Sequence, residues 1–154
     1  QNVYEGMLSH AEQADVELHY TQSDVPCPVL GDPARLTQTT ENLLHNAILY
    51  NRPKGKVNLT LERVDQNGVL LSIEDTGMGL AEEELDRIFE RFYRSSRVTQ
   101  SQRMGAGLGL SIVREIVLAH DAKIHVESEK DAGTTFTIRF PAVDNSGALK
   151  HNRQ

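Results

Sequence analysis

Four groups of residues carry most of the chemistry this chain offers. Asn42 and Asn46 stand one turn apart in a helical stretch. Asp75, Gly77 and Gly79 alternate directly after an apolar strand pattern. Arg94, Arg97 and Arg103 punctuate a polar stretch behind Phe89-Glu90-Arg91-Phe92-Tyr93. Gly105, Gly107 and Gly109 alternate ahead of a second helix, where Leu108, Ile112, Val113, Ile116 and Val117 recur at helical spacing. Glycines before a helix let backbone N–H groups approach an anion closely. The helix N-terminus adds unpaired donors and a partial positive charge, so the last group reads as a phosphate-binding corner.

Two familiar phosphate loops are excluded. A dinucleotide fingerprint needs a third glycine where Leu110 stands, and a strand where Arg94–Arg103 is polar and irregular. A Walker loop needs a Gly-Lys-Ser/Thr ending that the chain lacks. The other groups suit a nucleotide. A carboxylate at a strand end, Asp75, can accept from the exocyclic amine of adenine, which selects ATP over GTP. An amide oxygen can complete the shell of a Mg²⁺ already held by phosphates, since such sites use only one or two protein ligands. Arginines can reach a terminal phosphate with forked, charge-assisted hydrogen bonds. Taken singly, each group also has a plain structural reading: an exposed helix face, a turn after a strand, aromatic anchors of a hinge.

The elements that position these groups follow from periodicity. Residues 1–14 read as a helix that ends a preceding segment. Val16–Tyr20 alternates as a strand, and Val29-Leu30 is expected as a short edge strand between prolines. Asp32-Pro33 opens a helix that runs to about Tyr50. Leu36, Thr40, Leu43, Leu44, Ala47 and Ile48 fall on its apolar side; Gln38, Asn42, His45, Asn46 and Leu49 lie on the other. Lys56–Val64 and Val69–Ile73 form a hairpin around Asn67-Gly68. A short helix over 81–89 and a long polar loop precede the Gly-rich corner and its helix, which ends near His120. Lys123–Glu127 and Thr134–Phe140 make a second hairpin, and a tail from Val143 reads as disordered. Hairpins with interspersed helices give an α+β fold.

Composition bounds the function. At 154 residues the chain suits one domain with its own core. A net charge of -6 argues against nucleic acid and against docking on an anionic membrane. Cys27 is the single cysteine, so no internal disulfide forms and a reducing compartment fits. No apolar run reaches the ~20 residues that span a bilayer. Beginning at Gln1, the chain is expected to be a fragment, and its parent to be membrane-anchored with this part in the cytoplasm.

In this order the four groups resemble the N, G1, F and G2 boxes of the sensor histidine kinase catalytic domain, in the GHKL ATPase superfamily. The matching stretches are Asn42–Ala47, Asp75–Gly79, Ile88–Arg94 and Gly105–Leu110, and the resemblance covers about residues 16–141. It implies the Bergerat ATP-binding fold: a two-layer α/β sandwich, its mixed, mostly antiparallel sheet covered on one face by helices, with a flexible ATP lid. The catalytic domain would span 15–142, after the end of a dimerisation helix at 1–14 and before a tail at 143–154. ATP and Mg²⁺ are the implied cofactors. Asn46 would coordinate Mg²⁺, with Asn42 supporting phosphates or the metal shell. Asp75 would bind the adenine amine, Gly77 and Gly79 would shape its pocket, and Tyr50 would lie near adenine or ribose. Gly105, Gly107, Leu108 and Gly109 would sit beneath the phosphates. Arg94, with Arg97 or Arg103, would meet the γ-phosphate and share catalysis with Asn46.

Two departures from the family pattern matter. Leu49 replaces a lysine that many members carry for phosphate, and none of the six histidines fits the phosphoacceptor motif, a histidine followed by an acidic residue on a helix before this domain: His10 is followed by Ala11 and His19 by Tyr20. The γ-phosphate would therefore pass to a histidine on dimerisation helices outside this chain, and then to a response-regulator aspartate. The fragment is expected to be monomeric and its parent a homodimer. Two other classes stay open: a hydrolysing ATPase of the gyrase, Hsp90 or MutL kind, and a non-catalytic nucleotide-binding or partner-docking module. The former places its general-base glutamate where Asn42 stands, and Glu41 points about 100° away around the helix.

Overall fold

The computed structural model describes residues 2–64, 68–95 and 107–143. Its elements run α1 (Asn2–Gln13), β1 (Val16–Gln22), α2 (Pro33–Leu49), β2 (Gly55–Arg63), β3 (Val69–Asp75), α3 (Glu82–Leu85), α4 (Gly109–Ala119), β4 (Lys123–Glu129) and β5 (Gly133–Phe140). The five strands form one sheet in the order β1-β2-β3-β5-β4. β1 pairs with β2 in parallel; the other three pairs are antiparallel. The result is the expected α+β architecture with a mixed, mostly antiparallel sheet.

Alternation gives the sheet one buried face. Val57 and Leu59 on β2, Val69 and Ile73 on β3, and Phe136, Ile138 and Phe140 on β5 point into the core. Lys56, Glu74 and Arg139, one residue out of step, are exposed. The helices supply the second layer through Leu43, Leu44, Ala47 and Ile48 of α2 and Val113, Ile116 and Val117 of α4. Leu44, Val57, Val113 and Ile138 are wholly buried. Each such side chain contributes roughly 1.5–3 kcal/mol by leaving water.

Three expectations change in the structure. Val29-Leu30 is not a strand. Pro26, Pro28 and Pro33 remove ladder donors around it, and among the described residues no further strand joins the β1 edge of the sheet. The helix expected over 81–89 is a single turn, Glu82–Leu85, followed by turns. Glu84 explains the stop: its carboxylate reaches back to the Ala81 N–H (2.9 Å) and accepts from the Tyr93 hydroxyl (3.3 Å), so it fastens the turn instead of extending it. β1 is longer than expected, running to Gln22 in register with Leu61. The Asp65–Asn67 part of the first hairpin turn, the polar loop at 96–106 and the tail from 144 lie outside the described residues.

Candidate functional site

The polar face of α2 looks into a cavity of about 360 Å³. The helix starts where Asp32 caps it, Oδ1 accepting from Ala34 N–H (2.8 Å) and Arg35 N–H (3.3 Å). From there its apolar side is held in the core, which leaves Gln38, Asn42, His45 and Asn46 to line the cavity. Neither asparagine side chain has a hydrogen bond among the described residues, so both amides stay open to a ligand.

Backbone builds the opposite wall. Asp75 ends β3, opposite Val57 on one side and Thr134 on the other. Its Oδ1 accepts from Gly77 N–H (2.8 Å) and Thr134 N–H (3.3 Å). Its Oδ2 has no partner among the described residues and is left for the cavity, which Asp75 lines. Burial pushes this carboxyl up to about 6; the two backbone donors pull the other way, and neighbouring Glu74 adds to the rise. Thr134 was not singled out from sequence, because only the β3–β5 register brings it beside Asp75. The neighbouring glycine makes room for that approach: a Cβ on Gly133 would lie 1.9 Å from the Asp75 carbonyl, at φ 133°.

The end of α2 is tied to the same wall. The Tyr50 carbonyl accepts from Met78 N–H (3.1 Å), and Thr76 bridges to Lys56 N–H through its hydroxyl (2.9 Å). A Cβ on Gly77 would lie 2.4 Å from the Tyr50 carbonyl, so Gly77 supports the wall from behind, while Gly79 lines the cavity. Tyr50 lines it too, beside Met78, Leu80, Ile88 and Phe136, which give an apolar slot next to the carboxylate. Such a slot with one convergent polar group suits a flat heteroaromatic base.

α4 begins at the far end of the cavity. Phe92 N–H donates to the Gly107 carbonyl (2.9 Å), which joins the Tyr93–Ser95 segment to the helix start. Among the described residues no side-chain cap hydrogen bond is made at the α4 N-cap, Leu108. The unpaired amides of such a helix start are donors suited to an anion. The Cβ position of Gly109 is 3.6 Å from Asn42 Oδ1, so the helix start and the asparagines bound one space. Arg94, Gly107, Leu108 and Gly109 all line the cavity. Arg97, Arg103 and Gly105 lie outside the described residues.

Among the described residues no three His, Cys, Asp or Glu side chains group as a metal cage. Asn42 and Asn46 offer neutral amide oxygens, which fit a cation that arrives on phosphates and takes one protein ligand. Asp75 is the only carboxylate among the described lining residues, and Glu41 is exposed and absent from the lining.

Comparison with known proteins gives a consistent picture. Residues 31–144 match the family model of histidine kinase-, DNA gyrase B- and HSP90-like ATPases. The chain is 36% identical over 133 residues to the sensor-like histidine kinase SenX3 of Mycobacterium tuberculosis, covering 86% of this chain and 32% of that protein. It is 35% identical over 137 residues to the sensor histidine kinase RppB of Synechocystis, covering 89% and 30%. The chain thus spans about a third of the length of these curated relatives. Among solved structures, a mycobacterial sensor histidine kinase MprB superposes with a TM-score of 0.78 at 31% identity, covering 90% of this chain and 93% of that one. Full-length ShkA in complex with AMPPNP superposes with a TM-score of 0.79 at 32% identity, covering 90% and 28%.

Proposed function

The chain belongs to the histidine kinase-, DNA gyrase B- and HSP90-like ATPase family, as a sensor-kinase catalytic ATP-binding domain, and from that premise we propose how its own residues hold Mg·ATP and donate the γ-phosphate. One observation carries the reading. A single cavity joins a half-free carboxylate at one end to an uncapped helix N-terminus and two open asparagines at the other. Asp75 Oδ2 accepts from the adenine amine while Oδ1 stays fixed by Gly77 and Thr134. Asn42 and the first amides of α4 take the phosphates, and Asn46 supplies the protein ligand to Mg²⁺. Bound Mg²⁺ neutralises phosphate charge. Arg94, which lines the cavity, is assigned to the γ-phosphate, with Arg97 and Arg103 the further sequence candidates. Positioning and charge neutralisation account for most catalysis of phosphoryl transfer.

The acceptor is a histidine on dimerisation helices of the parent protein, followed by a response-regulator aspartate. The parent is a homodimer with this domain at 15–142 in the cytoplasm. Among the described residues no helix is long and apolar enough to cross a membrane. A hydrolytic role is disfavoured, because the one described lining carboxylate sits at the adenine end, away from any attacking water. The test is calorimetric titration with a non-hydrolysable ATP analogue, with and without Mg²⁺, followed by γ-phosphate transfer to a separately supplied dimerisation domain. Saturable binding strengthened by Mg²⁺ and transfer in trans are expected. A folded chain that binds nothing would sink the reading.

A further inference from the structure

The start of α2 and the end of α4 are fitted together by one side chain. In a capping box the N-cap N–H is accepted by a Glu or Gln three residues on. Here that position is Arg35, which has no acceptor. Asp32 N–H donates instead to Nε2 of His120, at 3.0 Å, the residue that caps the C-terminus of α4. His120 Nδ1 lies 2.7 Å from the Ile116 carbonyl. A carbonyl only accepts and an amide N–H only donates, so Nδ1–H donates and Nε2 accepts. This is the neutral ring with its hydrogen on Nδ1, and both nitrogens are committed. Gly31 completes the fit: a Cβ there would lie 2.3 Å from His120 Cδ2 and 2.7 Å from Nε2.

The two helices joined here are the ones that wall the phosphate end of the cavity. α2 leaves the fitting and carries Asn42 and Asn46 along its cavity face. α4 leaves the cavity at Gly109, beside Asn42, and finishes in the fitting. We propose that His120 is a positioning residue for the phosphate end of the nucleotide site, with Gly31 and Asp32 as its seat. The imidazole sets how α2 packs against α4, and so the spacing between the asparagine amides and the α4 N-terminus. Asp75 and the adenine slot are anchored separately, by the β2–β3–β5 register. The inference rests on the nucleotide reading above.

The two side-chain amides separate the bonds. His120→Gln can place Oε1 near the Nε2 position and keep the link to Asp32. His120→Asn reaches only Ile116 and keeps the local bond alone. Gly31→Ala leaves His120 in place but displaces its ring. Each variant of the 154-residue chain is titrated with Mg²⁺ plus a non-hydrolysable ATP analogue, and separately with adenosine, and its thermal unfolding is recorded. His120→Asn and Gly31→Ala are expected to weaken the ATP analogue about fivefold, the size of one lost hydrogen bond, and to leave adenosine unchanged. His120→Gln restores wild-type selectivity. A folded His120→Asn or Gly31→Ala that keeps wild-type affinity for the analogue overturns the proposal, and so does equal weakening of analogue and adenosine. A folded wild type that binds neither removes the nucleotide reading itself, a result distinct from either of these.

Discussion

The two ends of the cavity are built on different physical terms. At the end proposed for adenine the main chain does the fixing. Asp75 sits in strand register, its Oδ1 is held by two backbone amides, and Gly77 is pressed against the Tyr50 carbonyl. At the end proposed for the phosphates the asparagine amides are ready but unengaged. Among the described residues, Asn42 and Asn46 present amides without partners and α4 opens without a side-chain cap hydrogen bond. A pre-formed pocket discriminates, because a wrong ligand leaves its fixed groups unpaired. An uncommitted set of donors binds whatever anion and cation complete it. Selectivity for the base is thus assigned to the rigid end, and response to Mg²⁺ and to phosphate number to the open end.

Asp75→Asn is the sharpest way to break this division. Oδ1 of the new amide stays with the Gly77 and Thr134 amides, so its N–H₂ group faces the adenine amine, donor against donor. Loss of a charge-assisted bond plus that conflict is expected to weaken adenosine and ATP alike by roughly 100-fold in calorimetry. If ATP is lost and adenosine kept, the carboxylate is not the base-reading group. Asn46→Ala should cut the other way. It is expected to cost about tenfold in affinity for the Mg²⁺-bound ATP analogue and to leave adenosine untouched. An equal loss of both ligands in a variant of unchanged thermal stability would mean that the two ends are not separable.

Much of this contrast was readable from residue order, and the unreadable part has a common cause. The α2 faces followed from 3.6-residue spacing, which put Gln38, Asn42, His45, Asn46 and Leu49 on the side that now lines the cavity. The sheet class followed from period-2 alternation. Thr134 did not, since its amide serves a carboxylate 59 residues away through a non-local strand pair. His120 was read as a helix end and nothing more, because its partner on Asp32 is 88 residues distant. Local signals also misjudged Val29-Leu30 and the length of α3. There, prolines and the Glu84 side chain decided, where apolar pattern alone suggested longer elements.

Proton linkage gives a smaller and independent test of the rigid end. With Oδ1 occupied by two donors, a proton on Asp75 must sit on Oδ2, where it removes the acceptor offered to adenine. Nucleotide affinity is therefore expected to fall as pH drops through about 6, where burial places this carboxyl. Between about pH 7 and pH 5 the loss should approach tenfold, and Asp75→Asn should lack that step. A wild-type profile flat across this range would mean that adenine does not use Oδ2.

The same carboxyl predicts a stability change of opposite sign to its effect on binding. Its pKa is raised in the folded protein, from the ordinary 3.8 to about 6, chiefly by burial. Between those values the folded state holds the proton and the unfolded chain does not, so the ligand-free fold gains stability as pH falls through about 6 and keeps the gain below 3.8. Above about 6 both states are ionised, and the fold carries the cost of a partly buried charge. Asp75→Asn removes that cost while its amide oxygen still accepts from Gly77 and Thr134. In the absence of nucleotide the variant is expected to be more stable than wild type near neutral pH by about 1–2 kcal/mol, with the gap closing toward acid. Part of the shift is lost to solvent that still reaches Asp75, which keeps the figure below the full value of two pKa units, roughly 3 kcal/mol. Urea unfolding at a series of pH values measures it directly. A variant less stable than wild type at neutral pH would show that the two backbone bonds to an ionised Oδ1 outweigh the burial of its charge. The adenine end would then be a stabilising element of the fold, not a strained site held ready for its ligand.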